Sequence, residues 1–146
     1  TMTNSLLYDL INQTYQYRDE RDEAPKDKIF DAESKIIREL ADKGNCVIIG
    51  RCSDYVLRDD ERVLKVFFNA PIESRIKRVM KRLGIEYSNA QHRIRKEDKY
   101  RADNYHYYTG RMWGASANFD LTINTDLGIG FIEECINEAL KAYDCH

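Results

Sequence analysis

The apolar residues of this chain fall into short runs separated by longer segments of mixed polarity. Three of the runs are rich in β-branched and aromatic residues and have the length of buried strands: residues 46–49, 63–68 and 119–123. Helical segments stand between these runs, and strands that alternate with helices are typical of a parallel sheet. The pattern therefore predicts an α/β fold, with ligands at the carboxyl ends of the strands.

Helical spacing of apolar residues predicts four amphipathic helices, at residues 4–17, 26–43, 70–83 and 130–143. A short helical turn is predicted at residues 54–57. A capping-box pattern at residues 88–91 predicts the start of a further helix. Ile94 is the only aliphatic residue in its central part, and a helix that is polar on all sides is rarely part of a core. We expect this helix to act as a mobile arm over a site.

Aromatic residues are concentrated after this polar helix, where residues 105–114 are predicted to form a loop. Such side chains either stack on a nucleotide base or pack the loop against the body of the protein, and packing is the commoner role. Both roles stay open for four residues: Tyr105, Tyr107, Tyr108 and Trp113.

Charge is distributed unevenly along a chain of 146 residues, a length that suits one domain, whose formal net charge is -2. Residues 75–101 contain ten basic and three acidic residues, whereas residues 1–45 contain seven basic and ten acidic residues. A basic segment on an acidic protein indicates a localised anion site rather than general affinity for polyanions. No apolar run has the length of a membrane span and no signal peptide is recognisable, so we expect a soluble protein.

The four cysteines show no paired spacing, and three histidines are the only further soft ligands. This usage argues against a disulfide framework or a zinc site, and it favours a reduced, cytoplasmic context.

Basic residues in two places are candidates for anion binding. Arg51 follows the first apolar run, at the predicted carboxyl end of a strand. The polar helix carries the others, Arg93, Arg95, Lys96 and Arg101, together with the carboxylate of Asp98. Asp98 and Arg101 are three residues apart, so they share a helix face. Several converging cations are what phosphoryl transfer requires, although solvated helix charges are the alternative for each residue.

Arg75 and Arg78 lie on a helix that has an apolar face for packing against the protein. We therefore assign both arginines to its solvent-exposed side. A phosphate-binding loop with the pattern G-x-x-x-x-G-K-[ST] does not occur in the sequence. The chain enters its first predicted helix within a few residues of Thr1 with no strand before it, so we expect a fragment or a protein whose amino-terminal part is not shown, with little activity in the absence of this loop.

Several motifs together resemble the cytidylate kinase-like family. They are CVIIGRCSDYVL at residues 46–57, KVFFNAPIESRIKR at 65–78, KEDKYR at 96–101, YYTG at 107–110, WG at 113–114 and FDLTINT at 119–125. Members of this family are similar to P-loop nucleoside monophosphate kinases, which have a three-layer fold with a parallel sheet between helices. The resemblance implies one domain over residues 1–146 that lacks its first strand and P-loop, with an arginine-rich helical lid at about residues 88–114.

The resemblance also implies roles for particular residues. Arg51, Asp98 and Arg101 would bind the acceptor nucleotide. Arg93 and Arg95 would lie near the phosphates of ATP, and Arg93, Lys96 and Arg101 would act in catalysis, with Mg²⁺ as the metal. The substrate would be CMP or a similar monophosphate, and Cys52 stands where cytidylate kinases have Asp. The acceptor base and the oligomeric state stay open.

Two other functions stay open. One is a non-catalytic, regulatory nucleotide-binding domain of the same fold. The other is an RNA-binding module that uses the basic stretch at residues 75–111 and its tyrosines. The predicted strands and the acidic amino-terminal segment fit RNA binding poorly, so nucleic acid is not the expected partner.

Overall fold

A computed structural model describes residues 24–144 of the chain, so the helix predicted at residues 4–17 lies outside the described residues. The chain divides into two compact units, residues 1–36 and 37–146, and all of the candidate site residues belong to the second. The prediction of a single domain stays a prediction. The elements follow in the order α1 Ala24–Lys43, α2 Ser53–Val56, β1 Val66–Asn69, α3 Ile72–Leu83, α4 Tyr87–Thr109, β2 Leu121–Asn124 and α5 Ile129–Asp144.

The two strands form a parallel pair, in which Val66 lies opposite Leu121 and Asn69 opposite Asn124. Their amino ends are joined by further bonds: the carbonyl of Lys65 accepts from the backbone N–H of Asp120, and the Asp120 carboxylate accepts from the N–H of Lys65 at 2.7 Å. The predicted α/β class is therefore confirmed, and the second and third apolar runs form parallel strands, while the three-layer sheet stays a prediction.

The strand predicted at residues 46–49 is wrong. These residues belong to no strand, and the side chains of Val47 and Ile49 are 90% and 88% exposed. A strand forms only when its backbone groups pair with a neighbour, and within residues 24–144 the sheet consists of β1 and β2 alone. The apolar residues at 46–49 favour burial, but their pattern does not show whether a neighbouring strand is present to pair with them.

Helices α3 and α4 pack against each other around a small apolar core. Ile76 of α3 is fully buried, and Ala90 and Ile94 of α4 lie against it. Ala90 and Ile94 are four residues apart, so they lie on one face of α4. This one apolar turn of the helix is enough to pack α4 against α3. α4 is thus not polar on all sides, because this core attaches it to α3, and its role as a mobile arm over a site stays a prediction.

The ends of α4 also differ from the prediction. The helix begins at Tyr87 after Glu86, with no side-chain bond at its N-cap, so the capping box predicted at residues 88–91 is not formed. It continues through the aromatic segment to Thr109 and ends where Gly110 adopts a left-handed conformation with φ of 68°. Burial of Tyr105 outweighs the modest helix propensity of tyrosine.

Trp113 follows α4 and packs against the sheet. Its ring meets that of Phe67 edge to face, with centroids 5.6 Å apart. Gly114 allows this approach, because a Cβ atom there would lie 3.0 Å from the Phe67 ring. For Trp113 and the buried Tyr105, the structure supports packing rather than base stacking.

Candidate functional site

Asp98 of α4 is the centre of a small ionic cluster. Arg75 of α3 donates to both of its carboxylate oxygens, at 2.7 and 2.6 Å. Arg101 donates to the same carboxylate at 3.4 Å, one helical turn further along α4. The Arg75 and Asp98 side chains are only 29% and 25% exposed, and the hydrogen bonds to Asp98 raise the pKa of the Arg75 guanidinium.

Arg75 is a member of this cluster that the sequence pattern does not reveal. Helix periodicity assigns it to the solvated side of α3, yet it lies beside the buried Ile76 and reaches across to α4. An ion pair between residues 23 positions apart leaves no periodic signal in a sequence. The sequence offered one indication of this contact, namely that basic residues of α3 lie next to its apolar face.

Glu97 connects the cluster to one of the predicted lid cations. Its carboxylate accepts from Arg93 at 2.9 Å and forms an ion pair with Arg101 at 3.6 Å. Both pairs have the spacing of four residues that aligns side chains along a helix. Arg93 and Arg101 therefore lie in one row along α4, with a carboxylate between them.

The other predicted lid cations do not join this row. Lys96 is exposed and lies two residues before Asp98, which on a helix of 3.6 residues per turn is about 160° around the axis. Arg95 is exposed as well. Within the predicted catalytic set, Lys96 follows Arg93 by three residues and shares a helix face with it, whereas Arg101 lies about 140° from Lys96 around the axis.

A second contact of α4 leads to the turn that contains Arg51. The buried Tyr105, seven residues after Asp98 and hence on a similar face, donates a hydrogen bond of 2.6 Å to Asp54 of α2. Burial and this bond raise the pKa of the Tyr105 hydroxyl. Asp54 lies three residues after Arg51, so the bond attaches the Arg51 turn to α4.

The Arg51 turn has an uncommon backbone. Gly50, Arg51 and Cys52 are all left-handed, with φ of 72°, 57° and 53°. Left-handed conformation is costly for residues with a Cβ atom, by roughly 1 kcal/mol or more each, and such strain is concentrated at functional sites. Arg51 itself is exposed at this turn, before the first residue of α2.

The carboxyl end of β2 carries a third group of polar side chains. Ser74 of α3 donates to Asp126 at 2.5 Å, and Arg78 donates to the hydroxyl of Thr125 at 3.2 Å. Arg78 also lies 3.6 Å from the Asp126 carboxylate. These contacts attach α3 to the end of the sheet at which ligands of α/β proteins bind. Arg78 was expected to be solvated, and it instead contacts Thr125 and Asp126.

Residues 24–144 contain no group of three or more His, Cys, Asp or Glu side chains arranged to hold a metal ion. Over the same residues, no helix is both long and apolar enough to cross a membrane.

Comparison with known proteins identifies the family to which this chain belongs. The sequence matches the profile of the cytidylate kinase-like family over residues 1–127. The chain belongs to the cytidylate kinase-like family. The resemblance that the motifs carried is thereby confirmed.

One relative of this cytidylate kinase-like chain and one solved structure of similar fold show how far the similarity extends. A cytidylate kinase from Methanopyrus kandleri is 31% identical over an alignment of 96 residues that covers 60% of this chain and 50% of the relative. The match thus spans half the length of that enzyme. An uncharacterised protein from Eubacterium ventriosum has a similar fold, with a TM-score of 0.74 and 24% identity over 88% of this chain and 70% of the other.

Proposed function

We propose that this cytidylate kinase-like protein binds a nucleoside monophosphate such as CMP and transfers the γ-phosphoryl group of ATP to it. The observation that carries the proposal is the cluster of Arg75, Asp98 and Arg101 across α3 and α4. Guanidinium groups match phosphate oxygens in planar, bidentate pairs, and such pairs supply positioning as well as charge.

Within this cluster, Arg101 is the group assigned to the acceptor phosphate. It is about half exposed and contacts Asp98 only at 3.4 Å, so its guanidinium retains donors for a ligand. Asp98 is held by Arg75 and has about four acceptor positions, of which Arg75 and Arg101 occupy three. The remaining position suits the amino group of a base.

The remaining roles rest on the family. Arg51 is proposed as a second ligand of the acceptor nucleotide, on the turn that Asp54 and Tyr105 attach to α4. Arg93 and Arg95 are proposed to face the donor phosphates, and Lys96 to act beside them in transfer. We propose that the sheet completes to the three-layer fold of P-loop nucleoside monophosphate kinases and that the protein acts in the cytoplasm.

ATP and Mg²⁺ are implied by the family rather than by a preformed site. The exposed cations of α4 suit the charge of a triphosphate. The described residues offer no cluster of carboxylates for Mg²⁺, so we assign no residue to the metal and derive no step through it.

A coupled assay of ADP formation tests this proposal on the natural full-length protein, with ATP, Mg²⁺ and each nucleoside monophosphate in turn. We expect turnover with one of them, and Arg101→Gln should lower kcat/KM by about 100-fold, because a charged phosphate contact is lost. The matched control is Lys99→Gln on the same helix, which removes an exposed ion pair with Asp103 and should leave kcat/KM unchanged.

Nucleotide binding without turnover for any monophosphate would contradict phosphotransfer and would support a regulatory nucleotide-binding domain. Salt-sensitive binding of oligonucleotides without monophosphate binding would support the RNA-binding module instead.

A further inference from the structure

We propose that the protein has a second anion site, at the amino-terminal edge of the sheet, for the phosphate group of a small molecule. A pocket of about 260 Å³ is present at this edge. Its charged lining residues are Arg58, Lys65, Arg111 and Asp120. None of the three cations has a role in the proposed acceptor site.

The position of the pocket separates it from the proposed nucleotide site. Lys65 directly precedes β1 and Asp120 directly precedes β2, and the two strands are parallel. The pocket therefore lies at the amino ends of both strands. Thr125 and Asp126, by contrast, follow β2 at the carboxyl end, where nucleotide-binding α/β proteins hold their ligands.

An aromatic ring holds two of the cations together. The guanidinium carbon of Arg58 lies 4.3 Å from the centroid of the Tyr55 ring, and that of Arg111 lies 5.1 Å from it. Arg58 also donates to the backbone carbonyl of Tyr55 at 2.9 Å, and the backbone N–H of Arg111 donates to the hydroxyl of Thr109 at 3.0 Å. Both guanidinium groups are therefore positioned before any ligand binds.

The acidic groups nearby do not balance these cations within the pocket. Among the described residues, Asp120 is the only carboxylate in the lining, and it accepts from the N–H of Lys65 and from the hydroxyl of Tyr143. Asp59 pairs with Arg58 at 3.5 Å but is 86% exposed. Three cations thus face one carboxylate.

Bringing like charges together on a partly buried surface costs free energy, which a bound anion recovers. The Lys65 ammonium contacts the carbonyl of Val63 only at 3.4 Å, so a stronger acceptor can displace this contact. Guanidinium forks favour phosphate oxygens, and the pocket lies below the usual volume of drug-sized sites. Inorganic phosphate, pyrophosphate or a small phosphomonoester fits this description.

Amide NMR titration of the full chain with inorganic phosphate and with pyrophosphate tests the site, with sodium chloride at equal ionic strength as the control. We expect saturable shifts at Tyr55, Lys65, Arg111 and Asp120. Arg111→Gln should weaken binding by about tenfold or more, since a charge-assisted bond is lost. Lys65→Gln should weaken it too, and this variant should remain folded, because the hydrogen bond that the Lys65 side chain makes within residues 24–144 is the long one to Val63.

Lys99→Gln serves as the charge-matched control and should bind phosphate as the wild type does. Shifts that chloride reproduces, or equal affinity of the wild type, Arg111→Gln and Lys65→Gln, would overturn the proposal. A parallel titration with CMP separates the two sites: Arg101→Gln should weaken CMP binding and leave phosphate binding at this pocket unchanged. The second site therefore stands or fails independently of the proposed kinase function.

Discussion

The guanidinium of Arg75 donates one hydrogen bond to each carboxylate oxygen of Asp98, at 2.7 and 2.6 Å, and so joins α3 to α4. The apolar core between these helices is small, with Ile76 facing Ala90 and Ile94. The ion pair extends this contact along α4 towards Arg101. It fixes the orientation of the carboxylate that we assign to the acceptor nucleotide.

Replacing Arg75 by Gln should destabilise the protein by about 1–2 kcal/mol, because a half-buried carboxylate loses its bidentate partner. Urea unfolding measures this change. Lys99→Gln removes an ion pair whose side chains are 76% and 65% exposed, so it should alter stability by no more than about 0.5 kcal/mol. Equal effects of the two variants would show that the Arg75–Asp98 pair contributes no more than a surface pair.

Removal of the Tyr105 hydroxyl in Tyr105→Phe should cost about 1–2 kcal/mol, because the buried ring then offers no donor to the Asp54 carboxylate. A double-mutant cycle with Asp54→Asn measures the coupling between the two side chains by urea unfolding. We expect the double variant to be more stable than the sum of the single effects predicts. Additive effects would mean that this bond does not hold the Arg51 turn to α4.

Asp60 should titrate at an unusually low pH. Hydrogen bonds from the side chain and backbone of Arg62 lower the pKa of the Asp60 carboxyl to about 2. A lowered pKa in the folded state means that the ion pair stabilises the protein above the pKa of the unfolded chain, and that this stabilisation is lost as the pH falls towards 2. In a carbon-13 NMR titration, Arg62→Gln should raise the pKa of the Asp60 carboxyl only part of the way to the ordinary aspartate value, because the backbone N–H of residue 62 still donates to it. A normal pKa in the wild type would contradict the contact.

Tyr143 of α5 provides the corresponding test at high pH. Burial, together with a hydrogen bond to Asp120, raises the pKa of the Tyr143 hydroxyl from 10.0 to about 12. The stabilisation from this hydroxyl is complete below pH 10 and is lost as the pH rises through 12. The absorbance difference between wild type and Tyr143→Phe should therefore show a tyrosinate transition near pH 12. A transition near pH 10 would indicate a hydroxyl that is exposed to solvent.

Periodicity in the sequence was sufficient to predict most of the elements. It placed α1, α3, α5 and both strands to within a few residues, because each has an apolar face that its own sequence specifies. It failed for residues 46–49. Their apolar character favours burial, but it does not indicate which strand, if any, their backbone would pair with. It also failed for the length of α4, where burial of Tyr105 extends a helix that the aromatic sequence did not indicate.

The candidate site was predicted only where its residues are neighbours in sequence. The spacing of Asp98 and Arg101 predicted a shared helix face, which their contact at 3.4 Å confirms. Arg75 and the Asp54–Tyr105 bond are long-range contacts, and no local pattern encodes them. The separation of Lys96 from Asp98 follows from helix geometry, once the helix is known to be continuous there.

Calorimetric titration of the protein with CMP and with cytidine is the sharpest test of the acceptor site, since the two ligands differ only in the phosphate. We expect CMP to bind at least about tenfold more tightly than cytidine, and Arg101→Gln to abolish this preference while Lys99→Gln retains it. Equal affinities for CMP and cytidine, or an undiminished preference in Arg101→Gln, would contradict the assignment of Arg101 to the acceptor phosphate.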